Sequence, residues 1–254
     1  MAKTVTGLNP IREQQLQERM VIQQSRTIER PLSAEISRAM KALAKGGLLE
    51  EAQIMSTHIA SVSRILKKQY MATFPMFGNR VLEGAQKATA LEGTPQLTQS
   101  AIDWNEIHGA IAVGEITGTT LAQTQNIVRN AVAVGLDEGL GEIEVAKNIQ
   151  AEVRQQAALL SRHRARVIAR TETHGAANAA NNAAAEITGL PMKKQWVASG
   201  GERTRSDHRR ADGQTVGLNE SFNVGGASLM FAGDPSGPAD QVINCRCVSV
   251  HIVI

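Results

Sequence analysis

The chain has 254 residues, 42% of them hydrophobic, enough for one large domain or two smaller ones around a sizeable core. Twenty-seven Lys and Arg against 24 Asp and Glu give a formal charge of +3, too small by itself to argue for nucleic-acid binding. No apolar run reaches membrane-spanning length, and residues 1–10 lack the apolar stretch of a signal peptide, so a membrane or secreted protein is not expected.

Aromatic residues are only 3% of the chain while alanine is abundant, which favours thin, closely approaching helices over a bulky core. The two cysteines, Cys245 and Cys247, are not expected to bond to one another. With no disulfide framework, a reducing compartment is the simplest setting.

In chain order, residues 1–10 read as a flexible arm. A helical pattern begins at Ile11 and is carried by Leu16, Met20 and Ile28. Pro31 predicts a break or a new helix start, because proline lacks the amide an interior turn needs. The stripe Leu32, Ile36, Met40 and Leu43 predicts a helix that stops at Gly46 and Gly47. A helix over 48–70 follows, then a turn over 73–79 packed by Phe74 and Phe77 around Pro75 and Gly78. A short helix is expected up to Ala90, and 92–100 reads as a linker.

Ser100 is then expected to cap a helix carrying Ile102, Ile107 and Ile111, and another helix covers about 119–134. Gly135, Gly139 and Gly141 enclose a turn, and Glu142 opens a helix carrying Ile143, Ala146, Ile149 and Val153. After Leu160 a distinctive helix begins with Arg162, Arg164, Arg166 and Arg170. It becomes nearly pure Ala and Asn from 176 to 185 and ends at Gly189, before Pro191. Small side chains permit close backbone approach, and repeated helical asparagines need partners.

Beyond Lys193 glycine, proline and aspartate rise, and β-favouring pieces appear at 195–198, 229–231 and 247–254. The last alternates Val248, Val250, Ile252, Ile254 against Cys247, Ser249, His251, Val253, the pattern of a half-buried strand. The expected fold is α+β and predominantly α-helical, an elongated helical body followed by a small β-containing C-terminal region. The expected division is an N-terminal helical region, 1–100, and a second domain, 101–254, helical over 101–190 and β-containing over 193–254.

Phosphate-binding glycine loops, dinucleotide fingerprints, nucleophile elbows and His-Glu-x-x-His helices are all missing from the sequence. Polar chemistry concentrates in two places. On the 170s helix, Arg170 and His174 are four apart and share a face, with Glu172 on another. In the loop 199–213, Arg203, Arg205, Arg209 and Arg210 alternate with Glu202, Asp207 and Asp212 beside His208. Four arginines in one loop fit phosphate contact, whereas the alternating signs favour local pairing. The favoured expectation is a structural polar network of Arg170, Glu172, His174, Arg205, Asp207, His208 and Asp212. Cys245 and Cys247 are half of a tetrahedral zinc site, which His208 (or His174 or Asp207) would complete only if the loop folds back onto the terminal strand. Buried free thiols are the alternative.

The order of these pieces is specific. A helix with Ile168-Ala169-Arg170-Thr171-Glu172 leads to Trp196, then Arg203, Arg205, Asp207 and His208, then Asp212-Gly213. Phe222-Asn223-Val224-Gly225-Gly226, Gly233-Asp234-Pro235 and Asn244-Cys245-Arg246-Cys247 follow. This resembles the Mu-F-like family of phage minor head proteins, the phage head morphogenesis domain, over about residues 115–250. One departure is visible: the aspartate that often follows the tryptophan strand is replaced by 197–201 ahead of Glu202.

The resemblance implies a non-enzymatic minor head protein of a tailed phage that acts in head morphogenesis near the portal, with a role in packaging or retaining DNA. It implies the portal and major capsid proteins as partners, with packaged double-stranded DNA nearby, and neither a membrane nor a small-molecule substrate. Location would be the virion, and the host cytoplasm during assembly. The same domain heads some polymorphic toxins; the chain ends four residues past Val250, so no toxin module is expected. The alternatives are a DNA-binding ejection protein and a metal-dependent nuclease centred on Asp207, His208 and Glu172.

Overall fold

The computed structural model describes residues 9–44, 48–85, 95–137 and 142–254. The expected stop at Gly46 and Gly47, the end at Ala90, and Gly139 and Gly141 lie outside the described residues. Five long helices come first: α1 Pro10–Ala44, α2 Leu48–Ala85, α3 Pro95–Trp104, α4 Ala110–Asp137 and α5 Glu142–Ile187, with a single π-helical turn, Asn105–Gly109, between α3 and α4. A small β-containing region follows: β1 Met192–Val197, α6 Ser206–Ala211, β2 Thr215–Gly217, β3 Phe222–Val224, β4 Ala227–Leu229, α7 Ala239–Val242 and β5 Val248–Val253. The predominantly helical α+β class is thus the observed one. No described helix is long and apolar enough to cross a membrane.

Asn9 caps α1, its side-chain oxygen accepting from the amides of Ile11 and Arg12 at 2.9 and 3.3 Å, with Pro10 in the first helical position. Three expected breaks are absent. Pro31 lies inside α1, where Ile28, Leu32 and Ile36 are buried on both sides of it. Pro75 lies inside α2 in place of the expected turn, because Tyr70, Phe74, Phe77 and Val81 form one buried helical stripe through it. An interior proline costs about 3 kcal/mol, and several buried side chains at about 1.5–3 kcal/mol each outweigh it. The described part of the expected linker is helical: α3 starts at Pro95, and Ser100 sits inside it, donating back to the Gln96 carbonyl instead of capping. Ile107 and Ile111, expected on the helix that Ser100 caps, are exposed. The helices expected on either side of Leu160 are one, α5.

The chain forms two compact units. One comprises 24–66 and 109–168 and is helical throughout its described residues; its core includes Leu32, Ile36, Leu66, Ile116 and Ile168, and the buried Arg164 guanidinium reaches the Ile116 carbonyl at 3.4 Å. The other comprises 1–23, 67–108 and 169–254 and contains all seven aromatic residues of the chain: Tyr70, Phe74, Phe77, Trp104, Trp196, Phe222 and Phe231. Aromatic scarcity is therefore local, and this unit has the bulkier core.

In that unit the three-stranded antiparallel sheet runs β2-β1-β5, with Trp196 opposite Ser249. The β3–β4 hairpin turns on Gly225 and Gly226 at φ +61° and +88°, the two positive values a type I′ turn needs. The expected half-exposed terminal strand is instead buried on both faces over 248–251. Its outer edge is covered by α5. The Asn178 amide accepts from the Ser249 N–H at 3.0 Å and donates to the Cys247 carbonyl at 3.2 Å, occupying the place a neighbouring strand's peptide would take. The same amide donates to Ala232, whose N–H donates to the Ser249 hydroxyl. Gly175 lets the chain come this close, since a Cβ there would stand 2.9 Å from the Gly233 carbonyl.

Candidate functional site

The Asn-Cys-Arg-Cys segment leads into β5, and its four side chains have separate partners. Asn244 takes a left-handed conformation, φ +61°, which asparagine tolerates better than other side chains. It is held there by Arg170, which donates to its side-chain oxygen at 3.2 Å, and by the Thr171 hydroxyl, which accepts its N–H at 3.1 Å. Arg246 turns to Glu18 at 3.2 Å. Both cysteines turn inwards, into the core that holds Trp196, Phe222 and Leu229. They are buried free thiols.

His208 meets these thiols. On the short helix α6 only His208 and Ala211 are buried, three residues apart and hence on one face. Trp196 lies edge-on to the imidazole at 5.4 Å between centroids. His208 Nδ1 is 3.3 Å from the Cys247 sulfur and 3.8 Å from that of Cys245. The three ligand atoms lie within 4.8 Å of one another, so His208, Cys245 and Cys247 form a cluster able to coordinate a metal ion, with the loop folded back onto the terminal segment. On the far side of the ring, Nε2 is 3.0 Å from Gln241 Oε1, and Gln241 Nε2 donates to Asp207 at 3.1 Å. Cys245 is the more acidic thiol: the Cys247 thiol hydrogen-bonds to it and pulls it below the ordinary cysteine value.

A second cluster centres on Glu18 of α1, which meets Arg246, Arg170 at 3.4 Å and His174 at 3.5 Å. The His174 hydrogen bond, with the charges of Arg170 and Arg246, holds the Glu18 carboxyl at about 2 against the opposing effect of burial. His174 is fully enclosed, and burial pushes it below the ordinary histidine value. Glu172 faces away and accepts from the Tyr70 hydroxyl at 2.5 Å; burial, with the charge and hydrogen bond of Glu172, raises the phenol well above its ordinary value.

The seven residues expected to form one network thus fall into separate groups. Arg170 and His174 share Glu18, and Glu172 pairs with Tyr70. Asp207 and His208 are joined through Gln241. Arg205 donates to the Ile243 carbonyl, and Asp212 accepts from the Ala198 N–H at 2.8 Å. Of the four arginines considered for nucleic acid, Arg205 makes that carbonyl bond, Arg209 donates to the Glu202 carbonyl at 2.7 Å, and Arg210 pairs with Asp207. Arg203 is exposed. Glu18, Gln241 and Asn178 were missed in the sequence. Glu18 lies 152 residues from Arg170 and carries no local signal, whereas Asn178 stands in the sequence as one of several helical asparagines needing partners.

The class defined by this arrangement is a helical protein whose C-terminal β-region is pinned to its last long helix by buried polar contacts around a His-Cys-Cys cluster. Residues 126–250, just under half of the chain, match the family described as Phage Mu protein F like protein. Its relatives include the minor head protein GP7 of Bacillus phage SPP1, 32% identical over 130 residues, which are 50% of this chain and 41% of that protein. The NAD(+)–arginine ADP-ribosyltransferase EFV of Enterococcus faecalis is 33% identical over 136 residues, 51% of this chain and 26% of that one. The uncharacterized protein YqbB of Bacillus subtilis is 35% identical over 96 residues, 36% and 32% of the two chains. The chain therefore spans less than half the length of each of these relatives. No solved structure matches it significantly.

Proposed function

We propose that the protein is a minor head protein of a tailed bacteriophage, acting in head morphogenesis beside the portal and major capsid proteins, and that it is not an enzyme. The observation that carries this reading is the family match over 126–250, reinforced by the similarity to a phage minor head protein over half the chain. The polar chemistry supports it. Arg170, Glu172, His174, Asp207 and His208, the side chains best suited to catalysis, are engaged with one another or with neighbouring protein groups in positions that hold the fold. The loop arginines with internal partners are likewise engaged in shaping the loop.

The test is deletion of the gene from its phage or prophage, with mass spectrometry of purified particles. The reading expects the protein in wild-type heads, and fewer or defective heads without it. Its absence from particles, together with normal heads in the deletion, would sink the proposal. Similarity to an ADP-ribosyltransferase is read as a shared segment apart from that activity. Purified protein should not transfer label from NAD+ to an arginine acceptor, and transfer would overturn the non-enzymatic reading. Magnesium-dependent cleavage of DNA would favour the nuclease.

A further inference from the structure

The hydrogen-bond directions around His208 fix its proton. Asp207 accepts, so the Gln241 group facing it is the NH2 and the group facing His208 is the carbonyl oxygen. A carbonyl oxygen can only accept, so His208 Nε2 carries the hydrogen. Nδ1 is then left with a free lone pair, and it points at two sulfurs 3.3 and 3.8 Å away. A histidine whose outer nitrogen is tied to an oriented acceptor while its inner nitrogen faces thiols is arranged as metal-ligating imidazoles are.

We propose that His208, Cys245 and Cys247 bind a zinc ion, with His208 Nδ1 and the two sulfurs as its three protein ligands. Two thiolates balance the charge of Zn²⁺, so the loaded site is neutral, which suits residues no more than 2% exposed. Thiolate and imidazole select zinc over magnesium or calcium. A tetrahedral ion keeps one further position, which a water would take. Metal binding releases the two thiol protons and joins α6 to the segment entering β5, adding a bond between pieces that are 37 residues apart. Gln241 and Asp207 are positioning residues, acting through the orientation of the imidazole. Gly225 of the β3–β4 turn presses on Asp207, where an added Cβ would stand 2.6 Å from the carboxylate. The site is thereby buttressed by the hairpin.

The full chain, expressed in zinc-supplemented medium and purified under reducing conditions without chelators, should contain about one zinc per chain by elemental analysis. Replacing zinc with Co²⁺ should give sulfur-to-cobalt charge-transfer bands and tetrahedral visible bands. Cys245→Ser, Cys247→Ser and His208→Ala should lose the metal. His208→Cys should retain it with a changed cobalt spectrum, which separates loss of a ligand from failure to fold. Gln241→Leu should weaken metal affinity about 10–100-fold while the protein stays folded. Zinc below about a tenth of an equivalent, with no cobalt bands from folded protein, would overturn the site and leave a buried thiol pair.

Discussion

Replacing Asn178 with alanine removes the group that closes the free edge of β5. Asn178 is fully buried: its two amide hydrogens are shared among the carbonyls of His174, Ala232 and Cys247 at 3.0, 2.8 and 3.2 Å, and its oxygen accepts from the Ser249 N–H at 3.0 Å. The His174 bond lies within its own helix, where that carbonyl already has a backbone partner, so little is lost there. The Ser249 N–H has one hydrogen and no substitute, and leaving it unpaired costs about 1–3 kcal/mol. The Ala232 and Cys247 carbonyls lose acceptor bonds, and a cavity opens between helix and strand. The whole change should cost about 3–5 kcal/mol, a large share of the roughly 5–15 kcal/mol stability of an ordinary domain. Urea unfolding followed by the fluorescence of Trp104 and Trp196 would give the difference. Hydrogen exchange would localise it, with the Ser249 amide changing from slow to fast. Asn178→Asp should be worse, because it keeps the acceptor but sets a carboxylate against the three carbonyls that the amide faces. A loss below about 1 kcal/mol, with the Ser249 amide still protected, would refute the edge-closing role.

Glu18→Gln keeps the shape but discharges the contact with Arg170, Arg246 and His174. The fall of the carboxyl from 4.5 to about 2 corresponds to about 3.4 kcal/mol at 1.36 per unit, reduced to about 1–2 because the side chain is 35% exposed. The difference from wild type should be full above pH 4.5 and vanish as pH falls through 2, and equal urea midpoints at pH 7 would reject it. His251, held neutral by burial at about 3, supplies a different pH window. The unfolded chain takes up this proton near 6.5 and the folded chain does not until about 3, so stability should drop by up to about 1.4 kcal/mol per unit below pH 6.5. Buried His174 adds in the same direction, and identical urea midpoints at pH 7 and pH 5 would contradict both.

The class of fold was legible because its signals are local. The stripes of α1 and α5, the Ala-Asn run and the change in composition after Lys193 each report on a few turns of backbone. Pro31 and Pro75 misled because proline is a local signal and the force overriding it is not. The stripe Tyr70, Phe74, Phe77, Val81 was present in the sequence, yet its burial depends on residues far away in the chain, among them Leu97 beside Gly78. The Cys-x-Cys pair is a local signal for half a metal site, but His208, His174 and Asp207 stay open as its completion in the sequence, and only the folded-back loop selects His208. Its orienting partner, Gln241, was not legible, since a glutamine in a four-residue helix looks like any other. The terminal strand's alternation was real, but alternation cannot reveal that an asparagine on another element covers the strand's edge.

The boundary of the family match has a physical consequence. Residues 126–250 contain Arg170, Glu172, Thr173 and Arg246, but their partners Glu18, Tyr70 and Gln69 lie before residue 126. The compact unit holding the β-region likewise includes 1–23 and 67–108. A fragment of 126–254 would leave the buried Thr173 and His174 face of α5 uncovered, along with the charge of Arg170. Burial of that helix, not the Asn-Cys-Arg-Cys clasp, should then limit its stability. Expressed alone, the fragment should have helical far-ultraviolet dichroism but broad, poorly dispersed amide resonances, and should become ordered when a second polypeptide carrying residues 1–108 is added. A fragment that unfolds cooperatively by itself with the stability of the full chain would show that the clasp suffices and that the preceding helices only decorate it.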